Sequence, residues 1–331
     1  MKKARNNTIK LLIGLAISAL FLYLAFGKID FEKMKASFLE ANFWYFIPAV
    51  GVILLSHLIR SFRLQYLLKS IKNVPVAELF SATMIGYMGN TILPAHLGEL
   101  FRANVIGNRE NISSSSVLAT IVIERILDIF ALLIIMAFAL IVYPFPDYIT
   151  KGGYVTFILV VGLFTFLVLL KKQNEKTMAF LRLFLKMLPM SIADRIECMI
   201  VSFIEGINGL ERKMDYLVIL FFSILIWSCY WLNFYLVCYA FDFPQIYGLN
   251  ALSSVVLLVI TTVSILVPSS PGYVGTYHYL CQITLGLFGV PMSVGLSYAF
   301  VAHALSTYPT ALIGVVFAWK EGKERFQVEK E

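Results

Sequence analysis

The sequence predicts an all-α polytopic membrane protein with about six full transmembrane helices and two opposed re-entrant hairpins of broken helix, arranged as an inverted repeat. Composition is the first observation: 59% of the 331 residues are hydrophobic and 14% are charged, whereas soluble domains are about half apolar and a quarter charged. The second is a series of long apolar runs, each able to cross ~30 Å of hydrocarbon as a helix. The third is the placement of Lys and Arg between these runs, which indicates topology rather than nucleic-acid binding.

Six apolar runs are predicted to span the membrane fully. The first follows a basic tail and resembles a signal peptide, but its apolar part is long and no small-residue cleavage pattern precedes Gly27. We therefore interpret it as a transmembrane helix. The runs lie at about residues 11–27, 43–67, 117–143, 154–170, 216–241 and 293–318.

Two further apolar segments, residues 76–93 and 249–267, run into proline and glycine and then into a polar stretch. Topology requires them to be hairpins, because the cytoplasmic placement of basic residues alternates correctly only if each segment enters and leaves from the same face. The first hairpin then opens to the cytoplasm and the second to the outside. The cytoplasmic markers are the basic residues of the N-terminal tail, Arg60, Arg63, Lys69, Lys72, those of 171–215 and those after 319.

One transmembrane domain, residues 1–331, is predicted, built from two halves. Residues 1–145 and 150–319 each hold three spans and one hairpin, and an odd number of spans inverts the second half relative to the first. Inverted repeats whose broken helices meet near the midplane are typical of transporters. Residues 171–215 are predicted to be a cytoplasmic connector, either one or two amphipathic helices on the membrane surface or a plain linker.

The stretch NTILPAHLGELFRANVIG, residues 90–107, surrounds the first break. Pro94 removes a backbone donor and ends the incoming helix, and Gly98 allows close approach. Glu99 and Arg102 share one side of the outgoing helix, so they either form a structural pair or line a polar cavity. The candidate cavity residues here are Asn90, Pro94, His96, Gly98, Glu99 and Arg102.

The third span contains three ionisable residues in IERILDI, residues 123–129. Glu124 and Asp128 are four apart and share a face, and Arg125 can pair with an acid on a neighbouring helix. The three residues therefore either line the cavity or form a salt bridge that locks the helices together.

The second break lies in PSSPGYVGTYHY, residues 268–279. Its prolines interrupt the helix, its glycines relax the backbone, and the amides of the next helix would point toward an anion. The spacing of His and Cys residues fits neither a metal site nor a disulfide set, and no cofactor is expected. The candidate residues are Ser269, Ser270, Pro271, Gly272, Gly275, Thr276, His278 and, on the last span, His303.

These three blocks, in this order and spacing, resemble the transmembrane region of lysylphosphatidylglycerol synthases and its stand-alone flippase-like relatives. The resemblance covers nearly the whole chain and implies a protein that moves lipids between leaflets, with aminoacyl transfer left to a separate soluble domain. This chain differs from the family pattern at His96, Tyr273 and His278, where the family often has Arg, Gly and Glu. Histidine at two of these places would leave less fixed charge near neutral pH.

The expected function is therefore a lipid flippase or transporter, not an enzyme, in the inner or plasma membrane with both termini cytoplasmic. Its expected partner is an anionic phospholipid or a polyprenyl-linked headgroup. Two alternatives stay open: a membrane enzyme that uses Asp30 and Glu32 on lipid-linked sugars, and a scaffold for a lipid-synthesis enzyme. A homo-oligomer is also compatible with the sequence.

Overall fold

The computed structural model describes residues 16–27, 29–93, 97–143, 213–266 and 271–328, with a few isolated positions between 151 and 182. The regular structure in these residues is helical, without a strand, which confirms the all-α prediction. The predicted 154–170 span and the 171–215 connector lie almost entirely outside the described residues.

Eleven α-helices follow one another in the described ranges, with a 3-10 turn, Phe43–Tyr45, before the third and another, Pro271–Tyr273, before the tenth. They are α1 (Ala16–Phe26), α2 (Phe31–Glu40), α3 (Phe46–Leu68), α4 (Val76–Ile92), α5 (Gly98–Glu110), α6 (Ser114–Val142), α7 (Lys213–Ala240), α8 (Phe243–Tyr247), α9 (Ala251–Leu266), α10 (Thr276–Leu287) and α11 (Met292–Val328).

Four helices of the described chain are long and apolar enough to cross a membrane. They coincide with four of the six predicted spans, at Phe43–Leu68, Ser114–Val142, Met214–Ala240 and Met292–Gly322. The first predicted span appears as the shorter apolar helix α1. The chain is therefore a multi-pass membrane protein by the length and composition of its helices.

The two predicted hairpins appear as two helix pairs, each interrupted by a break: α4 with α5, and α9 with α10. In the first pair the backbones of the two helices are in contact. They are so close that a Cβ atom at Gly98 would overlap the carbonyl oxygen of Gly86. Glycine at position 98 is what permits this approach. The re-entrant placement of the pairs in a membrane stays a prediction.

The two breaks lie against each other. A Cβ atom built on Gly272, in the second break, would lie 3.6 Å from the carbonyl oxygen of Thr91 at the end of α4. The helix contacts also repeat: α5 packs on α6 as α10 packs on α11, and α4 packs on α11 as α9 packs on α6. This pattern fits two related halves, whose inversion stays a prediction.

Three stretches of the described chain differ from the predicted loops and span ends. Residues 28–42 contain α2, whose first turn Asp30 caps by accepting a hydrogen bond from the Lys33 amide at 3.1 Å. This bond lowers the pKa of the exposed Asp30 carboxyl. Residues 242–248 contain the short helix α8, and the last span continues as helix to Val328 instead of ending near 318.

Candidate functional site

Two arginines on α3 belong to a buried cluster of charged side chains. Arg60 and Arg63 are three residues apart and so share a helix face, and their side chains are 2% and 0% exposed. Both donate to Asp128 on α6, each at 2.7 Å. Arg60 also donates to the Tyr230 hydroxyl at 3.0 Å.

Glu124, one turn before Asp128 on α6, extends the cluster to the first hairpin. Arg102 of α5 donates to its Oε2 atom at 2.8 Å. The Nη2 atom of Arg63 lies 3.7 Å from its Oε1 atom. The Glu124 side chain is fully buried, so charged partners on two helices replace the water that it loses.

The edge of the cluster is a more accessible ion pair. Arg125 Nε lies 3.0 Å from Glu99 Oε1, and the two side chains are 35% and 19% exposed. Arg125 Nη1 also lies 3.7 Å from Asp128 Oδ2. Arg125 is therefore the most exposed arginine of the described cluster.

The described cluster contains one more positive than negative group. Its arginines are Arg60, Arg63, Arg102 and Arg125, and its carboxylates are Glu99, Glu124 and Asp128.

Several buried guanidinium nitrogens of the cluster, including Nε and Nη2 of Arg102, have no hydrogen-bond partner in the described structure. Buried donors without partners are costly. An anion that accepts from them would remove this cost as well as the excess charge.

Glu99 and Arg102 do not form the pair within α5 that was one of the two alternatives predicted for them. Glu99 and Arg102 share a helix, but each pairs with α6 instead of with the other. Arg125 pairs with an acid on a neighbouring helix, as expected for it. These ion pairs are compatible with both interpretations of the residues, a polar cavity and a salt bridge that holds the helices together. Both interpretations therefore stay open.

Arg60 and Arg63 were missed as site residues because they were assigned to the cytoplasmic end of the second span. The structure buries both arginines in the cluster, whereas Lys69 and Lys72 are exposed; their place at the cytoplasmic end stays a prediction. The signal in the sequence was the three-residue spacing of His57, Arg60 and Arg63 within one apolar helix. In the structure the His57 ring lies 4.4 Å from the Tyr87 ring.

Other candidates of the first break have structural contacts or lie outside the description. Asn90 accepts a hydrogen bond from the Gly98 amide at 2.9 Å and so closes the turn between α4 and α5. Pro94 and His96, and likewise Ser269 and Ser270 in the second break, lie outside the described residues.

The second break has a strained backbone that glycine tolerates. Gly272 and Gly275 have φ values of +69° and +95°, and a Cβ atom on Gly275 would lie 2.6 Å from the Ser18 carbonyl of α1. Pro271 opens the 3-10 turn, and the Thr276 hydroxyl donates to the Tyr273 carbonyl. The Gly275 amide, directly before α10, donates to Nδ1 of His278 at 3.3 Å, and the anion contact of the amides of α10 stays a prediction.

His278 and His303 form a separate group. Their rings lie 4.9 Å apart, centre to centre, and among the described residues no hydrogen bond or ion pair joins them to the arginine cluster. Among the described candidates, the two histidines and the charged residues of α5 and α6 therefore form two groups, and the single site predicted from the seventeen candidates stays a prediction. The described residues also contain no cluster of three or more metal-ligating side chains.

A family model described as the lysylphosphatidylglycerol synthase TM region matches residues 11–314. The match includes the three sequence blocks on which the resemblance was based and confirms it. Comparison with curated proteins gives no match.

Proposed function

The chain belongs to the lysylphosphatidylglycerol synthase TM region family, and on that premise we propose that it is a lipid flippase or transporter. In this proposal the arginine cluster on α3, α5 and α6 binds the anionic headgroup of a phospholipid or of a polyprenyl-linked lipid. The headgroup crosses between leaflets inside the protein while the acyl chains stay in the bilayer.

The observation that carries the proposal is the excess positive charge of the buried cluster. An isolated charge is expensive at membrane depth, and guanidinium groups bind phosphate through parallel hydrogen bonds. A lipid phosphate supplies the missing negative charge and the missing acceptors together. Unlike a free anion, it also brings an apolar tail that can remain outside.

The surroundings of the cluster suit such a substrate. Leu97, Leu100 and Phe101 are exposed beside the accessible pair of Glu99 and Arg125. These apolar side chains can contact acyl chains while the headgroup lies on Arg125. The helix breaks near the cluster provide irregular backbone, which is tolerated in a membrane where it lines a protein cavity.

The rest of the cycle is part of the same proposal. The carboxylates of the cluster compete with the headgroup for the arginines, so binding of the headgroup exchanges one anionic partner of an arginine for another. Transport is then coupled to an ion gradient or runs downhill. We place the chain in an inner or plasma membrane with both termini cytoplasmic, in line with its basic tails.

The decisive test compares Arg125→Gln with Arg125→Lys, because this arginine is the accessible cation of the cluster. Purified protein is reconstituted into liposomes with a headgroup-labelled phosphatidylglycerol, and its transfer between leaflets is followed by chemical quenching of the outer label. We expect the wild-type chain to accelerate transfer, Arg125→Gln to reduce it at least about 10-fold and Arg125→Lys to retain most of it, since a lysine keeps the charge.

Equal transfer by wild type and Arg125→Gln would reject the cluster as the headgroup site. Native mass spectrometry of the lipids retained by each variant separates failed binding from failed movement. The same measurement on Lys72→Gln, which removes an exposed lysine that pairs with Glu110, controls for a general loss of surface charge.

A further inference from the structure

A cavity lies where the ends of α6, α8 and α10 meet the start of α9. Its volume is about 320 Å³, which is within the range of small-molecule sites. These helix ends belong to the face that the distribution of basic residues predicts to be outside. The described lining residues combine aromatic rings with polar side chains, and none of them is charged.

Aromatic rings form part of the walls, those of Tyr143, Tyr247 and Phe288. Tyr143 directly follows α6 and Phe288 directly follows α10, and their rings meet edge to face with centres 5.2 Å apart. Tyr247 is the last residue of α8, and Gly248 after it turns the chain with a φ of +68°, which glycine tolerates. Each tyrosine also brings a hydroxyl, a group that both donates and accepts.

Asn250 lines the cavity with a side chain whose orientation is fixed. Its Oδ1 atom accepts from the amides of Leu252 and Ser253 at 2.9 and 3.1 Å, as an N-cap residue does. Two N–H donors require an acceptor, so these contacts assign the oxygen and the nitrogen of the side-chain amide. The described hydrogen bonds of this side chain all involve Oδ1, so the two N–H groups of Nδ2 remain for a ligand.

The charge of the cavity favours a neutral ligand. The amides of Leu252 and Ser253 at the start of α9, which would otherwise attract an anion, already donate to Asn250. A hydrocarbon chain would remove the polar side chains from water without replacing its hydrogen bonds. The ligand therefore needs an apolar face for the rings and several hydroxyl groups, but no charge.

We propose that this cavity binds a neutral sugar ring, supplied by a glycolipid of the outer leaflet or from solution. The C–H groups of the sugar pack on the aromatic rings. Its hydroxyls accept from Nδ2 of Asn250 and exchange hydrogen bonds with the tyrosine hydroxyls. The site shares no residue with the arginine cluster, so this inference goes beyond the proposed transport of an anionic lipid and does not rest on it.

The edge of the cavity suits a sugar that is attached to a lipid. Leu287 lines the cavity and is 46% exposed, so an acyl chain can lie along it while the sugar is bound. Tyrosine at the end of a span is typical of the boundary between membrane and water, and Tyr143 has that position at the end of α6.

The test is photolabelling of the full chain in lipid nanodiscs. The probe is a glucosyl diacylglycerol with a diazirine at the start of one acyl chain, and labelled peptides are mapped by mass spectrometry. We expect labels near Leu287 and Phe288. Unlabelled glucosyl diacylglycerol should compete about 10-fold better than diacylglycerol without the sugar, the effect of one or two net hydrogen bonds.

Methyl β-glucoside, which has no acyl chain, identifies the source of the sugar. Competition by methyl β-glucoside would show that the cavity takes a sugar from solution. Competition by the glycolipid alone would show that the bilayer supplies it. Either result supports a sugar site.

Two variants keep the test independent of folding. Asn250→Ser keeps an N-cap side chain but removes Nδ2, so the glycolipid should lose most of its advantage over diacylglycerol. Asn42→Ser is the matched control, because Asn42 accepts from the Trp44 amide at 3.2 Å on the same predicted face and does not line the cavity. It should keep the wild-type preference, and thermal unfolding of both variants separates lost binding from lost folding.

Three results would overturn the proposal. Equal competition by glucosyl diacylglycerol and diacylglycerol in the wild-type chain would show that the cavity does not recognise the sugar. A preference that is unchanged in Asn250→Ser, or lost equally in Asn42→Ser, would place the sugar elsewhere on the protein. Labels distributed over all spans would indicate only partition into the bilayer.

Discussion

At the scale of single residues, Asp128 holds two buried arginines by one carboxylate. Arg60 and Arg63 each donate to a different oxygen of Asp128 at 2.7 Å. We expect Asp128→Asn to destabilise the protein by about 3–5 kcal/mol, because it leaves two buried cations short of a counter-charge. Thermal unfolding of the purified protein in detergent measures the change.

Glu110→Gln is the matched control for this substitution. Glu110 pairs with Lys72 at 2.8 Å, but the lysine side chain is 43% exposed, and exposed ion pairs contribute about 0–1 kcal/mol. Equal melting temperatures for the two variants would show that the burial of the arginine cluster does not make it a stabilising element.

The residue scale is also where sequence reasoning failed most clearly. Basic residues near a span end usually mark the cytoplasmic side, and Arg60 and Arg63 satisfy that rule by position. Their burial depends on Asp128, which lies more than sixty positions later. A rule that counts charges along one helix cannot identify a partner on another helix. The charged residues of α5 and α6 were recognised as candidates, but their contact with α3 was not.

At the scale of elements, the first helix pair depends on Gly98. A Cβ atom there would lie 2.7 Å from both the Asn90 amide and its side-chain oxygen, besides overlapping the Gly86 carbonyl. We expect Gly98→Ala to force α4 and α5 apart and to cost about 1–3 kcal/mol as an overpacking change. Thermal unfolding and the lipid content of the purified variant are the measurements.

Gly51→Ala provides the control, since Gly51 lies inside α3 and a Cβ atom there would meet no other atom within 4 Å. Alanine at an unstrained helical position is neutral or stabilises by up to about 1 kcal/mol. A Gly98→Ala variant that melts like Gly51→Ala would mean that the α4–α5 contact is looser than the structure shows.

Sequence reasoning succeeded better with elements than with side chains. Proline and glycine located the two helix breaks, because their backbone effects are local. Helix α2 was missed because topology reasoning treats the chain between apolar runs as a loop. The local signal was present: Asp30 stands before an amphipathic stretch as an N-cap residue does.

At the scale of the whole molecule, Arg109 of α5 ties the first helix pair to the last helix. It donates to Glu78 at the start of α4 at 2.6 Å, and its Nε donates to Glu321 near the end of α11 at 2.6 Å. In the proposed transport cycle such contacts would open and close as parts of the protein move against each other. The three charged groups therefore stabilise the arrangement in which α4, α5 and α11 are together.

We expect Arg109→Gln to weaken this arrangement without unfolding the chain. The side chains of Arg109, Glu78 and Glu321 are partly exposed, and such ion pairs contribute little to overall stability. Amide hydrogen exchange should become faster in the first turns of α4 and the last turns of α11, with little change in the buried part of α3.

High salt should change hydrogen exchange in the wild-type chain in the same direction, since it screens exposed charges. Lys72→Gln removes a cation whose ion pair in the described residues is with Glu110 of α5, and it should leave α11 unchanged. If exchange in α11 is the same in Arg109→Gln and in wild type, the ion pairs do not control the separation of these helices, and apolar packing such as that of Gly314 on α4 holds them.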